Sequence, residues 1–367
     1  STRKESSAAS DVYKRQMQKK DKEVQKRDSQ VYDFGSISWK GAELGNLEEH
    51  LVENIHLVEE YPEREAESIV RLLSRRLEVK EDQVIVTDGA TGALHLVASI
   101  SKGATSLILP PTNQEFRHAL ERAEHIIKEA HDVKDLGKLN LAGIDYLWIC
   151  NPNNPDGRFF SRRALLSLLR EHPEVNVVID LSMASYVVED NIKASDIKKY
   201  PNLIVVSSFS RAYNIPGMRV GYAVSTADKM KHFKQNYTPR CVGSLALEAT
   251  RFILLHPAQF TIPIRKWLRD SMQLAEKLDS IYGIEVIYGS TPYFMIRLNV
   301  GTVSELSAFL WEKYDIKIAT REDDLDLQEN EVRLCGYIGD RNNEPLIEGI
   351  QEYVTRFTET EGEEVER

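Results

Sequence analysis

The stretch SSFSRAYNIPGMRVGY, Ser207 to Tyr222, decides how this chain is read. It begins on the end of Leu203–Ser208, a β-branched run of the kind that forms a buried strand, and continues through Arg211 and Arg219. Working outward, four more runs have the same texture: Val84–Thr87, Ser106–Leu109, Tyr146–Cys150 and Asn176–Asp180. Amphipathic stretches lie between them. In Glu63–Leu77 the apolar residues Ile69, Leu72, Leu73 and Leu77 share one helical face, and Thr91–Ile100 and Ser161–Arg170 behave similarly. Strand–helix alternation at this spacing predicts an α/β domain with a largely parallel sheet.

Open sheets of this kind bind ligands beyond the carboxyl ends of their strands. Three further motifs fall there. In TDGATGALHLV, Thr87 to Val97, Gly89 permits a tight turn into a helix near Thr91, whose exposed amides suit a phosphate. Any strand–turn–helix corner can use a glycine, so this motif alone decides little. NPNNPDG, Asn151 to Gly157, combines the turn Pro155-Asp156-Gly157 with asparagines that can donate to a ligand oxygen. Asp180 closes the strand NVVID, and two readings stand: a helix cap, or a carboxylate that keeps a cofactor's ring nitrogen protonated.

With these motifs in order, the chain resembles class I/II aminotransferases that depend on pyridoxal 5'-phosphate (PLP), fold type I. Within them it is similar to the histidinol-phosphate aminotransferase and threonine-phosphate decarboxylase branch, over about residues 31–357. The resemblance implies a mostly parallel seven-stranded sheet and a smaller C-terminal α+β domain. It implies that Gly89, Ala90 and Thr91 cradle the PLP phosphate with Ser208 and Arg219. Tyr61 would reach that phosphate from a neighbouring subunit, hence a homodimer. Asn154 would hydrogen-bond the phenolic oxygen, Asp180 would pair with the ring nitrogen, and Arg333 in EVRLCGY would grip a substrate carboxylate. For Arg333 a surface salt bridge is the competing reading.

The pattern breaks at the catalytic position. The family's Schiff-base lysine falls at Arg211. That lysine must lose a proton, attack the aldehyde and shuttle protons. A guanidinium stays charged, with a pKa above about 12, and is no comparable nucleophile. The family's ring-stacking aromatic falls at Asn113, and its tyrosine three residues after the aspartate falls at Met183. The asparagine of its N-terminal arm falls at Ser38, and Arg321 stands where relatives carry an arginine near the substrate or is simply solvent-exposed.

Composition bounds the rest. With 47 Lys+Arg against 57 Asp+Glu the formal net charge is −10, which offers no global attraction to nucleic acid or anionic membrane. No run nears the roughly 18 apolar residues that span a bilayer, no apolar leader is evident, and the three cysteines read as free thiols in a reducing, cytoplasmic setting. No metal site is expected. The expected organisation is a disordered tail 1–30, an N-terminal arm 31–60, a large domain 61–245, a small domain 246–357 and an acidic tail 358–367. SSAASDVYKRQ near the start reads as sequencing-adapter read-through, so residues 1–16 are set aside from the fold. In the small domain, helical patterns cover 243–280 and 303–314. Strands fall at Tyr293–Leu298 and Glu331–Cys335, and a last helix begins near Pro345. Three functions compete. The first is a degenerate member holding PLP or a related phosphate ligand non-covalently. The second is an active aminotransferase or amino-acid-phosphate decarboxylase, and the third an inactive subunit paired with an active paralogue.

Overall fold

A computed structural model describes residues 31–365 apart from 40, 42 and 324; the expected tail at 1–30 lies outside the described residues. The chain enters on β1 (Tyr32–Asp33), α1 (Gly45–Glu53) and α2 (Glu67–Arg76). It then alternates through β2 (Val84–Thr87), α3 (Gly89–Ser99), β3 (Thr105–Ile108), α4 (Gln114–Arg122), β4 (Ile126–Glu129) and β5 (Tyr146–Cys150). Next come α5 (Arg162–Glu171), β6 (Asn176–Asp180), β7 (Leu203–Ser208), β8 (Gly221–Val224), α6 (Ala227–Phe233) and α7 (Ser244–Leu255).

Strands β2 to β8 form one seven-stranded sheet in the order β2-β8-β7-β6-β5-β3-β4. It is parallel throughout except at β8, which runs antiparallel to both β2 and β7. Strands β2 and β5 are buried along their whole length because helices cover both faces. Alternate residues serve the two sides. Val84, Val86, Leu147, Ile149, Val177 and Ile179 pack with the helices α2, α5 and α7. Ile85, Trp148, Val178, Ile204 and Val206 pack under α3 and α4.

The chain continues through α8 (Ile264–Asp279), β9 (Ile284–Ile287), β10 (Tyr293–Leu298), α9 (Val303–Tyr314), β11 (Ile316–Lys317), β12 (Glu331–Cys335) and α10 (Asp340–Val365). Strands β12-β10-β9 make an antiparallel sheet with its own apolar cluster. Short β1 pairs in parallel with β11, Tyr32 opposite Ile316. From there residues 34–39 form a strap between the two sheets: the Cys335 amide donates to the Phe34 carbonyl (2.8 Å), and the Trp39 amide donates to the Arg211 carbonyl (3.2 Å).

Several expected boundaries are corrected. The helix expected over Glu63–Leu77 starts only at Glu67, because Ala66 before it adopts φ 53°. The strand expected at Ser106–Leu109 is one residue earlier. The helical stretch 243–280 is two helices, parted where Pro257 and Pro263 lack the amides an unbroken helix needs. The last helix begins at Asp340, so Pro345 lies inside it, and it extends through the expected acidic tail to Val365. Glutamate is a good helix former, which suits that extension.

Candidate active site

The site lies on one row of sheet residues. Thr87 and Ser208 both face Gly221 across the β2-β8-β7 ladder, and Cys150 faces Asp180 across β5-β6. The carboxyl ends of the parallel strands therefore come together at one edge. After β2 the chain turns at Gly89, with φ 83°, straight into α3. No side chain caps this helix start, so the first-turn amides of Gly89, Ala90 and Thr91 have no side-chain acceptor. Gly221 is required beside them: a Cβ there would lie 2.3 Å from the Gly89 carbonyl carbon and 2.5 Å from the Ala90 nitrogen.

Beyond β7, the SFSRAYNIPGMR turn brings Arg219 back over the same corner. Arg219 holds φ 50°, a left-handed conformation that costs a non-glycine residue about 1–2 kcal/mol. Its guanidinium lies within 2.5 Å of where a Gly89 Cβ would stand, and its Nη1 donates to the Ser210 hydroxyl (3.5 Å). Glycine at 89 thus leaves room for a cation against the N-terminal end of α3, whose dipole favours an anion.

Asp180 is 2% exposed. Its carboxylate accepts from the Ser182 amide (2.9 Å) and from Asn113 Nδ2 (3.3 Å). Burial raises its pKa, and these hydrogen bonds only partly oppose the shift. Asn113 also caps α4 through the Glu115 amide (3.2 Å). An asparagine here gives up a ring face and in exchange fastens the aspartate.

The three asparagines of NPNNPDG divide by role. Asn151 bonds Phe160 and Asn191, and Asn153 bonds Pro111, Thr112 and Asp156, so both hold the loop. Asn154 accepts from Arg333 Nη1 at 2.8 Å, which leaves its amide NH₂ as the donating end.

Arg333 is buried on β12 at 7% exposure; its Nη2 donates to the Gly35 carbonyl (2.6 Å) and its Nε has no partner among the described residues. Burial, with the charge of Arg211 added, lowers its pKa to about 10. A surface salt bridge at this position is therefore excluded. Arg211 donates through Nη1 to the Ser38 hydroxyl (3.1 Å). Its own carbonyl accepts from the Tyr186 hydroxyl (3.0 Å). Burial lowers its pKa too, with Arg219 contributing in the same direction. Among the described residues no carboxylate forms an ion pair with Arg211, Arg219 or Arg333.

Met183 is buried among Ile37, Tyr186, Trp267, Tyr293 and Cys335. Sequence reasoning missed Tyr186 and Tyr293, fully buried beside these arginines, since nothing about an isolated tyrosine marks such a neighbour. Ser38, where the family's N-terminal-arm asparagine falls, is the hydroxyl that receives Arg211. Ser208 ends β7 beside this corner. Tyr61 is 91% exposed and carries the Arg240 guanidinium 5.7 Å from its ring centre. Arg321 is largely exposed and pairs with Glu329 (3.5 Å), so it belongs to the surface. No group of residues suited to a metal ion occurs among the described residues, and no helix among them is long and apolar enough to cross a membrane.

The chain is similar to L-threonine-O-3-phosphate decarboxylase from Porphyromonas gingivalis: 37% identity, TM-score 0.86, covering 89% of this chain and all of that one. The fold also matches histidinol-phosphate aminotransferase from Clostridium acetobutylicum, with TM-score 0.77 at 18% identity over 89% of this chain and all of that one. Among curated sequences, it matches histidinol-phosphate aminotransferase of Bacillus velezensis at 30% identity, spanning 45% of this chain and about half (49%) of that relative's length. The Buchnera aphidicola enzyme of the same name matches at 26% identity over 70% of this chain and 74% of its own length. The model of the family "Aminotransferase class I and II" matches residues 37–350. The chain belongs to the class I and II aminotransferase family, which is PLP-dependent.

Proposed function

We propose that this chain is a degenerate aminotransferase-fold protein, a pseudoenzyme, that holds PLP or a closely related phosphate ligand without a covalent link. The observation that carries the reading is the placement of Arg211. Its guanidinium is packed with Ser38, and its backbone is tied to Trp39 and Tyr186. On this reading Arg211 would stand where the family carries its Schiff-base lysine, with a group that cannot serve as an amine nucleophile.

The remaining donor set suits PLP. Gly89, Ala90 and Thr91 with Arg219, and Ser208 nearby, would hold its phosphate. Asp180 would hold the ring nitrogen protonated, and a buried carboxylate whose pKa is raised by burial gains most from such a cation. Asn154 would donate to the phenolic oxygen. When bound, PLP supplies an electron sink for the bonds at an amino acid's α-carbon. This chain's own residues would bind and orient it, but Arg211 cannot take up the proton that chemistry releases.

The test is the absorption spectrum of purified protein with PLP, before and after borohydride reduction and desalting. The expected result is reversible binding with no trapped cofactor, and covalent trapping only after Arg211→Lys. Trapping in the unaltered protein would overturn the reading.

A second reading is favoured by the 37% identity to the P. gingivalis decarboxylase over that protein's full length: decarboxylation of an amino-acid phosphate. It requires a base other than Arg211. Turnover of O-phospho-L-threonine by the unaltered protein would establish it.

The functional unit is a homodimer on this proposal, in a cytoplasmic setting. Val52, Ile55, Val58 and Tyr61 are all more than half exposed along one short segment, an apolar surface that a second copy would cover. Tyr61 would then reach the partner's phosphate corner.

A further inference from the structure

Two groups of donors suited to an anion stand out in this structure. The first is the Gly89 corner with Arg219. The second comprises Arg211 and Arg333, and its construction is unusual for a site built to receive a neutral group. Arg333 is buried and Arg211 half-buried, and both are tied to one short segment, Arg333 through the Gly35 carbonyl and Arg211 through the Ser38 hydroxyl. Tyr186, Tyr293 and Cys335 surround them, and burial raises the pKa of both phenols, so they add no negative charge. The Arg333 Nε is buried and has no partner among the described residues. Like charges brought together out of water without an acid are costly, and an oxyanion between them relieves both the repulsion and the missing hydrogen bond. A planar guanidinium presents paired donors that match a carboxylate.

We infer that Arg211 is a ligand-binding residue that, with Arg333, receives a second oxyanion, so that the preferred occupant is a vitamin B6 phosphate carrying a carboxylate where PLP carries its aldehyde. The inference rests on the function proposed above, since the ring orientation follows from a phosphate at Gly89 and Arg219 and a ring nitrogen at Asp180. Arg211 then faces the ring substituent that a lysine would have attacked, and a guanidinium is complementary to an acid there. Binding involves no covalent step.

The test compares two ligands that differ only in that substituent: 4-pyridoxic acid 5'-phosphate, with a carboxylate, and pyridoxine 5'-phosphate, with a hydroxymethyl group. Dissociation constants are measured by calorimetry on the full chain and on Arg211→Met. A charge-assisted pair of this kind predicts at least about tenfold tighter binding of the carboxylate compound by the unaltered protein. The preference should disappear in Arg211→Met, whose dissociation constants for the two compounds should agree within about twofold. Circular dichroism of the variant separates lost preference from lost folding, and Arg211→Gln provides a second, polar variant if methionine unfolds the chain. Equal affinities in the unaltered protein, or a preference that survives both substitutions, would overturn the inference and leave the PLP reading intact. Failure of PLP and both test compounds to bind would remove the underlying reading itself.

Discussion

At the scale of single residues, the pocket holds charges that work against the stability of the ligand-free protein. Asp180 makes this visible through pH. Its folded pKa is raised by burial, so the folded state keeps the proton longer than the unfolded chain, whose aspartate titrates near about 3.9. Stability is therefore greatest below that value and declines as pH rises through the raised folded pKa. Asp180→Asn should flatten this decline in melting temperature as pH rises above about 4, and should weaken PLP binding by about tenfold or more through loss of the ionic partner. An unchanged pH slope would show that another group controls it. Arg211 behaves analogously with the opposite charge. Arg211→Met should raise the melting temperature of the ligand-free protein by about 2–4 °C, corresponding to roughly 1 kcal/mol, because a desolvated cation without an acid partner is removed. A drop in melting temperature would mean that the bond to Ser38 outweighs that cost.

At the scale of elements, the decisive contact is the approach of β8 to the first turn of α3. A methyl group at 221 would meet the backbone at Gly89 and Ala90, not a side chain that can swing away. Gly221→Ala should accordingly destabilise the protein by about 1–3 kcal/mol in denaturant titration, and should weaken the stabilisation given by inorganic phosphate. The core strands could be read from the chain because their β-branched runs are continuous and end in turn residues; β5, β6 and β7 lie where those runs lie. The edge strand β4, Ile-Ile-Lys-Glu, was not foreseen, because it is mostly exposed and carries no alternation to speak of. Boundaries failed where a single residue departs from its usual conformation, as at Ala66, or where a proline is tolerated inside a helix, as at Pro345. Of the site, the motif-bearing positions were accessible to sequence reasoning. Tyr186 was not, and neither was the bond from Arg211 to Ser38, since these contacts span 25 and 173 residues of chain that no local pattern encodes.

At the scale of the whole molecule, the exposed apolar run from Val52 to Tyr61 predicts the assembly state. Val58→Asp should convert the proposed dimer to monomer in size-exclusion chromatography with light scattering, leaving the far-ultraviolet circular dichroism unchanged. A monomeric unaltered protein would remove Tyr61 from any role at a partner's phosphate corner.

The strap at residues 34–39 carries a different consequence. It receives Arg333 at Gly35 and Arg211 at Ser38, and it is joined to β12 at Phe34 and to the β7–β8 turn at Trp39. Both cation heads therefore share their carbonyl and hydroxyl anchors with a segment that helps to stitch the two sheets together. An occupant that draws the guanidiniums toward itself loads that thread from both ends. The amides of Ser36 to Trp39 should then exchange with deuterium at a rate that reports occupancy of the site, turning an architectural seam into a gauge of whether it is filled.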